Sequence, residues 1–384
     1  MLPQRYQCQP SCKRVVNAST HISRLYSIRK YLRDRAGNTG LPVCQAGFYI
    51  KNPLTPVGYC ITFTLIMGIM NISKLFKAQS RDAGWIAIGT DTHGVFLAQA
   101  KQTGPALSVL RCEYHETGEV SAAQLDKVRH SANIGKHDFT TLLSPGEYQM
   151  LLVDAPNVPV NELKTAIRWK IKDGLNYHID DATVDVLQIP ASKYGSDRAQ
   201  SMYAIAASNE TIQKRIALFE QANIELDVID IPEMAQRNIA ALFEQNDRAL
   251  VLLAFDDHGG LMTFTSKGEL LLARRIEITA GQLRDANEQL RQQYRDRVEL
   301  ELQRSLDYFD RQFNHLPVSR VLVCAPDDAG LVSLLAAAVE AKVEKLDLSQ
   351  VMDISKVPAL ADSEFVARAL PTLGAALRQE RRAL

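Results

Sequence analysis

The amino-acid sequence predicts an α/β protein of two lobes. Two successive blocks of meandering strands, each followed by helices, predict the lobes themselves. A long amphipathic helix over residues 280–314 supplies one covering layer. The composition agrees: 384 residues, 46% apolar and 23% charged, leave room for two or three domains and exclude a disordered, collagen-like or multi-span chain.

In the first block, apolar runs at 85–88, 94–98 and 106–110 are separated by Gly94 and by Gly104-Pro105, which predicts three strands. A helix near 122–130 and strands near 139–143 and 150–153 follow. Behind Pro159, the residues Val160, Leu163, Ile167, Ile171 and Leu175 recur at helical spacing and predict a helix with one apolar face. Trp169 lies about 180° around from that stripe, at about 100° per residue. It therefore either packs on a neighbouring lobe or stands out as an aromatic anchor, with Arg168 beside it. Strands near 183–189 and 202–207 bracket a polar turn at 192–200, and a helix at 212–222 and a strand at 225–229 complete the unit. Pro232 then opens a helix to about 243.

The second block begins with a buried strand at 249–255 and a hairpin, 261–265 and 269–273, turned by Lys267-Gly268. In the helix at 280–314, Leu290, Tyr294, Val298, Leu302, Leu306, Phe309 and Phe313 recur mostly every fourth residue. That spacing drifts away from the 3.5-residue average of a coiled coil and predicts packing on a sheet. A strand at 320–324, an Ala/Leu helix at 331–341 and a final helix ending at 373–378 close the chain. No repeat of solenoid period is present.

Charge divides the chain differently. The 44 basic and 44 acidic residues cancel, which excludes a global field drawing the molecule onto nucleic acid. Residues 1–69 nevertheless hold nine Lys/Arg against Asp34 alone, a net of +8, and four of the six cysteines. The break predicts that the fold starts near Met70 and that 1–69 is upstream sequence rather than part of it. Two other readings concern this stretch: a basic amphipathic segment at 22–32, and a span at 57–70, which Gly58 and Gly68 interrupt. Cys8 and Cys12 have the spacing of half a metal site without a close second pair. The body, with Cys112 and Cys324, matches a reduced compartment.

The residues show no chemistry of their own. Neither a Gly-x-x-x-x-Gly-Lys-Ser/Thr loop, nor His-Glu-x-x-His, nor Gly-x-Ser-x-Gly occurs. His258-Gly259-Gly260 reads as a tight turn between strands. Asp256-Asp257 and Asp180-Asp181 read as solvated acids, although paired carboxylates suit divalent cations.

Several blocks together resemble the PilM group of type IV pilus assembly proteins, and most closely its branch in mannose-sensitive haemagglutinin (MSHA) pilus biogenesis. They are 70–77 followed by Ile88-Gly89-Thr90, then 160–172, 228–234, 299–308 and 373–378. The resemblance covers 70–384. It implies an actin-like fold, related to the cell-division protein FtsA, with a small inserted α+β subdomain. The implied divisions are 70–158 and 232–248 for the first lobe, 159–231 for the insert, 249–360 for the second lobe and 361–384 for a helix returning to the first.

Proteins of this group sit on the cytoplasmic face of the inner membrane, where they hold the short cytoplasmic tail of a PilN-type single-span partner. Several bind ATP between the lobes. Here the resemblance places Ala87 where the first phosphate loop has its Asp and Trp85 where it has its first Gly. Asp256 is followed only by Gly259-Gly260 in place of an Asp-x-Gly, and Ala325-Pro326 replaces the adenosine-side Gly-Gly. The expectation is a non-catalytic scaffold without cofactor or metal. Gly89, Thr90, Gly259 and Gly260 would mark a vestigial nucleotide cleft, and Trp169 and Arg168 would contact the partner. The alternative is an ATP-binding switch or weak ATPase using those same four cleft residues.

Overall fold

A computed structural model describes residues 84–379, apart from 92, 104–105, 136, 160–161, 191–200, 246 and 327. The 1–69 segment with its cysteines and apolar run, the block at 70–77 and the turn at 192–200 lie outside the described residues.

The chain opens with β1 (Trp85–Thr90), β2 (Gly94–Thr103), β3 (Ala106–Glu116), α1 (Ala122–Ser131) and β4 (Asp138–Leu142). A small unit follows: β5 (Tyr148–Asp154), α2 (Leu163–Ile171), β6 (Ala182–Gln188) and β7 (Ser201–Ser208). Next come α3 (Asn209–Gln221), β8 (Leu226–Asp230) and α4 (Pro232–Ala240). The remainder is β9 (Ala249–Asp256), β10 (Gly259–Ser266), β11 (Glu269–Ile276), α5 (Ala280–Leu283), α6 (Glu288–Gln312), β12 (Val318–Cys324), α7 (Asp328–Ala338), β13 (Lys342–Lys345) and α8 (Ser363–Ala376).

Two five-stranded sheets have the same plan. Their orders are β3-β2-β1-β4-β8 and β11-β10-β9-β12-β13. In each, the first three strands are an antiparallel meander, and the last two lie parallel to the first strand on its other side. The two blocks are legible in sequence, but no residue pattern repeats between them, because each half repeats a backbone path. The central strand β9 is buried along nearly its whole length, as a strand covered on both faces must be.

Helices α4 and α8 lie between the two sheets. One apolar cluster runs from Ala87 and Phe96 through Ala235, Ile239, Leu370 and Leu373 to Leu252 and Leu322. Pro at the first turn starts α4, and the Asp362 carboxylate caps α8 by accepting from Phe365 N. No helix among the described residues is long and apolar enough to cross a membrane.

The structure redraws four boundaries. The insert, expected at 159–231, is a three-stranded sheet β5-β7-β6 spanning 148–208. Its first strand pairs with a partner far along the chain, Tyr148 opposite Ala207 and Asp154 opposite Ser201, which local pattern does not encode. Helix α3 and strand β8 belong instead to the first lobe, where Phe219, Ala222 and Ile224 pack on Ile86, Ile88 and Leu97. The single helix expected over 280–314 is broken at 284–287. Thr279 and Gln282 form a capping box on α5, and the Asn287 side chain accepts from Gln289 N and Leu290 N to restart the chain as α6. Strands β2 and β3 run five and six residues past their apolar runs, because the edge of a sheet tolerates Lys101, Arg111 and Glu113. Strand β13, the charged run Lys-Val-Glu-Lys, gave no apolar signal and is held by parallel pairing to β12.

Candidate functional site

The equivalent hairpins β1–β2 and β9–β10 carry the four expected cleft residues, and their glycines face the chain's own atoms. A Cβ at Gly89 would lie 2.0 Å from Thr372 Oγ1 on α8, and one at Gly260 would lie 2.5 Å from the Phe255 ring. Gly259 has φ +130°, where side chains are strained, and its Cβ would meet the Ile276 carbonyl oxygen at 2.8 Å. The Thr90 hydroxyl accepts from Arg215 at 3.3 Å, and Arg215 pairs with Glu147 at 2.6 Å.

Asp91, missed by sequence reading, closes the β1–β2 turn. Its carboxylate accepts from His93 N at 2.8 Å, Gly94 N at 2.7 Å, the Tyr114 hydroxyl at 3.2 Å and Arg368 at 3.0 Å. Partial burial opposes its charge, but those donors together hold the carboxyl below its ordinary range. The Arg368 guanidinium also sits 4.3 Å from the Tyr114 ring centroid and 5.3 Å from that of Phe96. The turn's N–H groups are therefore spent on a carboxylate of the chain, where a bound phosphate would need them.

Between the lobes lies a cavity of about 20 Å³, lined by Pro145, Pro232, Gln236, Phe255, Asp256 and Pro371 among others. That is room for about one water. Gly259 also lines it, whereas Gly89, Thr90 and Gly260 do not. Ala325 and Pro326, at the end of β12, are buried, and Pro326 has no N–H to offer. Among the described residues, no three His, Cys, Asp or Glu side chains gather as a metal site.

Asp256 provides a pH test of this cavity. Burial pushes its carboxyl up, against the His258 N–H that donates to it at 2.7 Å. A carboxyl whose folded pKa exceeds its unfolded value loses stability as pH rises through the folded value. Asp256→Asn keeps the acceptor for His258 N and never ionises. Its Tm is expected to rise by a few degrees at most at pH 7, with no gain at pH 3, in paired thermal melts.

On the insert, α2 seats Leu163, Ile167 and Ile171 against Met202, Ala204 and Ala206. Trp169, on the opposite side, is 68% exposed, with Lys172 Nζ 5.9 Å from its ring centroid. Arg168 turns the other way. It donates to the carbonyls of Ala182 at 2.8 Å and Ile179 at 2.5 Å, and so buttresses the entry to β6. The expected pair is thus split: Trp169 faces outward, and Arg168 is engaged inside the subdomain.

The strongest polar cluster lay outside sequence reading. On α4, Glu233 (3% exposed) accepts from Arg275 of β11 at 2.8 Å and from the Tyr148 hydroxyl of β5. One turn on, the buried Gln236 amide donates to Leu252 O at 2.7 Å, Leu261 O at 3.0 Å and Thr263 Oγ1 at 3.0 Å. Polar residues on a helix buried on all sides look solvent-facing in sequence, and only the second sheet explains them.

No family model and no curated protein sequence matches the chain. Among solved structures it is similar to a chain of the PilM–PilN type IV pilus biogenesis complex. The two share 17% identity at a TM-score of 0.59, over 78% of this chain and 100% of that one. The fold is actin-like. Two further similar structures are more distant. The cytoplasmic domain of EpsL, an inner-membrane component of the type II secretion system of Vibrio cholerae, has 10% identity and a TM-score of 0.43, over 70% of this chain and 92% of that one. A Bacteroides thetaiotaomicron protein of actin-like ATPase fold and unknown function has 11% identity and a TM-score of 0.44, over 74% and 97%. In this actin-like fold, the duplicated sheets are the two lobes, and the β5-β7-β6 sheet is the insert.

Proposed function

We propose that the chain is a non-catalytic, PilM-like scaffold of type IV pilus biogenesis, of the MSHA type represented by MshI. It works at the cytoplasmic face of the inner membrane, peripheral to it, and holds the cytoplasmic tail of a PilN-like single-span partner. The observation that carries this reading is the fold shared over the full length of a chain from the PilM–PilN complex. Fold alone does not make function, so the reading also needs a site. The exposed Trp169 on α2 supplies one, because Trp anchors interfaces when a partner buries it. The non-catalytic part is supported by the close packing of Gly89, Gly259 and Gly260 against the chain's own atoms and by a cavity between the lobes of only about 20 Å³.

The test is capture of the tagged full chain from its own solubilised inner membranes, with bound proteins identified by mass spectrometry. Wild type is expected to recover a single-span pilus protein with a short cytoplasmic tail. Trp169→Ala is expected to lower that recovery about tenfold or more while leaving Tm unchanged, the size expected of an interface-centre Trp. Equal recovery removes Trp169 from the site, and recovery of no pilus component overturns the scaffold reading.

A further inference from the structure

Three structural units meet at one buried carboxylate. Glu233, in the first turn of α4, belongs to the first lobe, Tyr148 to the insert and Arg275 to the second lobe. Arg275 Nη2 donates to Glu233 at 2.8 Å and to Tyr148 Oη at 2.6 Å, while the Tyr148 hydroxyl donates to Glu233. The guanidinium also lies 5.8 Å from the Tyr148 ring centroid. Burial, then the Glu233 charge, push the Tyr148 phenol up, so it stays a donor. Removing Arg275 or Tyr148 leaves the buried Glu233 carboxylate short of a partner, which costs more than the pair itself contributes.

The same helix continues the seam. Gln236 reaches β9 and β10, Arg237 donates to Gly268 O at 3.0 Å, and Glu244 just beyond accepts from Gly268 N at 2.8 Å. From the insert, Tyr203 Oη accepts from Ala273 N of β11 at 3.2 Å. Each of these bonds joins two of the three units. The chain bridges them itself.

We propose that Glu233, Tyr148 and Arg275 form a latch that holds the first lobe, the insert and the second lobe in one closed arrangement, independent of any nucleotide. The latch does not depend on which partner the insert binds.

Hydrogen exchange by mass spectrometry on the full chain tests it. Wild type is expected to exchange identically with and without millimolar Mg-ATP. Glu233→Gln keeps the side chain's shape and removes its charge. Amides of β5, α4 and β11 are then expected to exchange about tenfold faster, while β1 and β12 keep wild-type protection. Tyr148→Phe retains the ring and loses two hydrogen bonds, those to Glu233 and from Arg275. It is expected to speed the same three segments by about threefold, and it serves as the readout if Glu233→Gln does not fold. Slower exchange of wild type with Mg-ATP would overturn the proposal. So would unchanged exchange in β5 and β11 of the variants, or uniform acceleration throughout the chain.

Discussion

Gly374→Val is expected to destabilise the protein by about 3 kcal/mol, enough to leave a large unfolded fraction near physiological temperature if the fold is marginal. Gly374 lies where α8 crosses α4. A Cβ there would sit 2.2 Å from the Ala235 carbonyl oxygen, 2.6 Å from its carbon and 3.1 Å from its Cα. All three are backbone atoms of a helix packed between two sheets, so no flexible side chain can swing aside. The two helices would have to separate, and the apolar cluster shared by both lobes would open with them. Asn238, which donates to Gly374 O at 2.9 Å, would lose its partner in the same movement. Gly135→Ala is the control, since nothing lies within 4 Å of its added Cβ. Urea unfolding of both variants is the measurement. A Gly374→Val midpoint matching that of Gly135→Ala would refute the close crossing.

Gln236→Leu is expected to lower stability by about 2–4 kcal/mol, or Tm by roughly 6–12 °C. The substitution nearly conserves volume, so no large cavity accompanies it. What disappears is an amide that donates to two backbone carbonyls and one hydroxyl of the second sheet from a helix of the first lobe. Each bond contributes about 1 kcal/mol net, and each acceptor left buried without a donor costs more than that. The loss would fall on the seam between lobes, so a scanning calorimetry trace is expected to lose cooperativity as well as midpoint. A single sharp transition within 2 °C of wild type would show that the seam does not need Gln236.

Much of the site was hidden by its own construction. The four residues singled out for a cleft came from the family resemblance, and the structure puts them at the ends of β1 and β10. What they touch is another matter. Gly89 is small to admit Thr372, 283 positions away in the chain. Arg168 and Trp169 are neighbours in sequence, yet a helix turns adjacent residues about 100° apart, so one reaches inward to carbonyls and the other faces solvent. Glu233 and Gln236 were unremarkable polar residues in a short helix until a second sheet covered them.

The sequence by itself determined the local elements: where β1, β9 and β12 run, the face that α2 buries, the start of α4 at Pro232 and the two-lobed α/β class. Each follows from periodicity or a capping residue within a few positions, which is the range over which a single side chain expresses a backbone preference. Only the tertiary structure decided the pairing of β5 with β7, the membership of α3 and β8 in the first lobe, and the duplicated sheet plan. It alone brought Tyr148, Glu233 and Arg275 together, across 85 and 42 residues of chain. The physical reason is that apolarity and backbone preference are properties each residue type carries, whereas a hydrogen bond between distant residues exists only once packing has fixed where both ends lie.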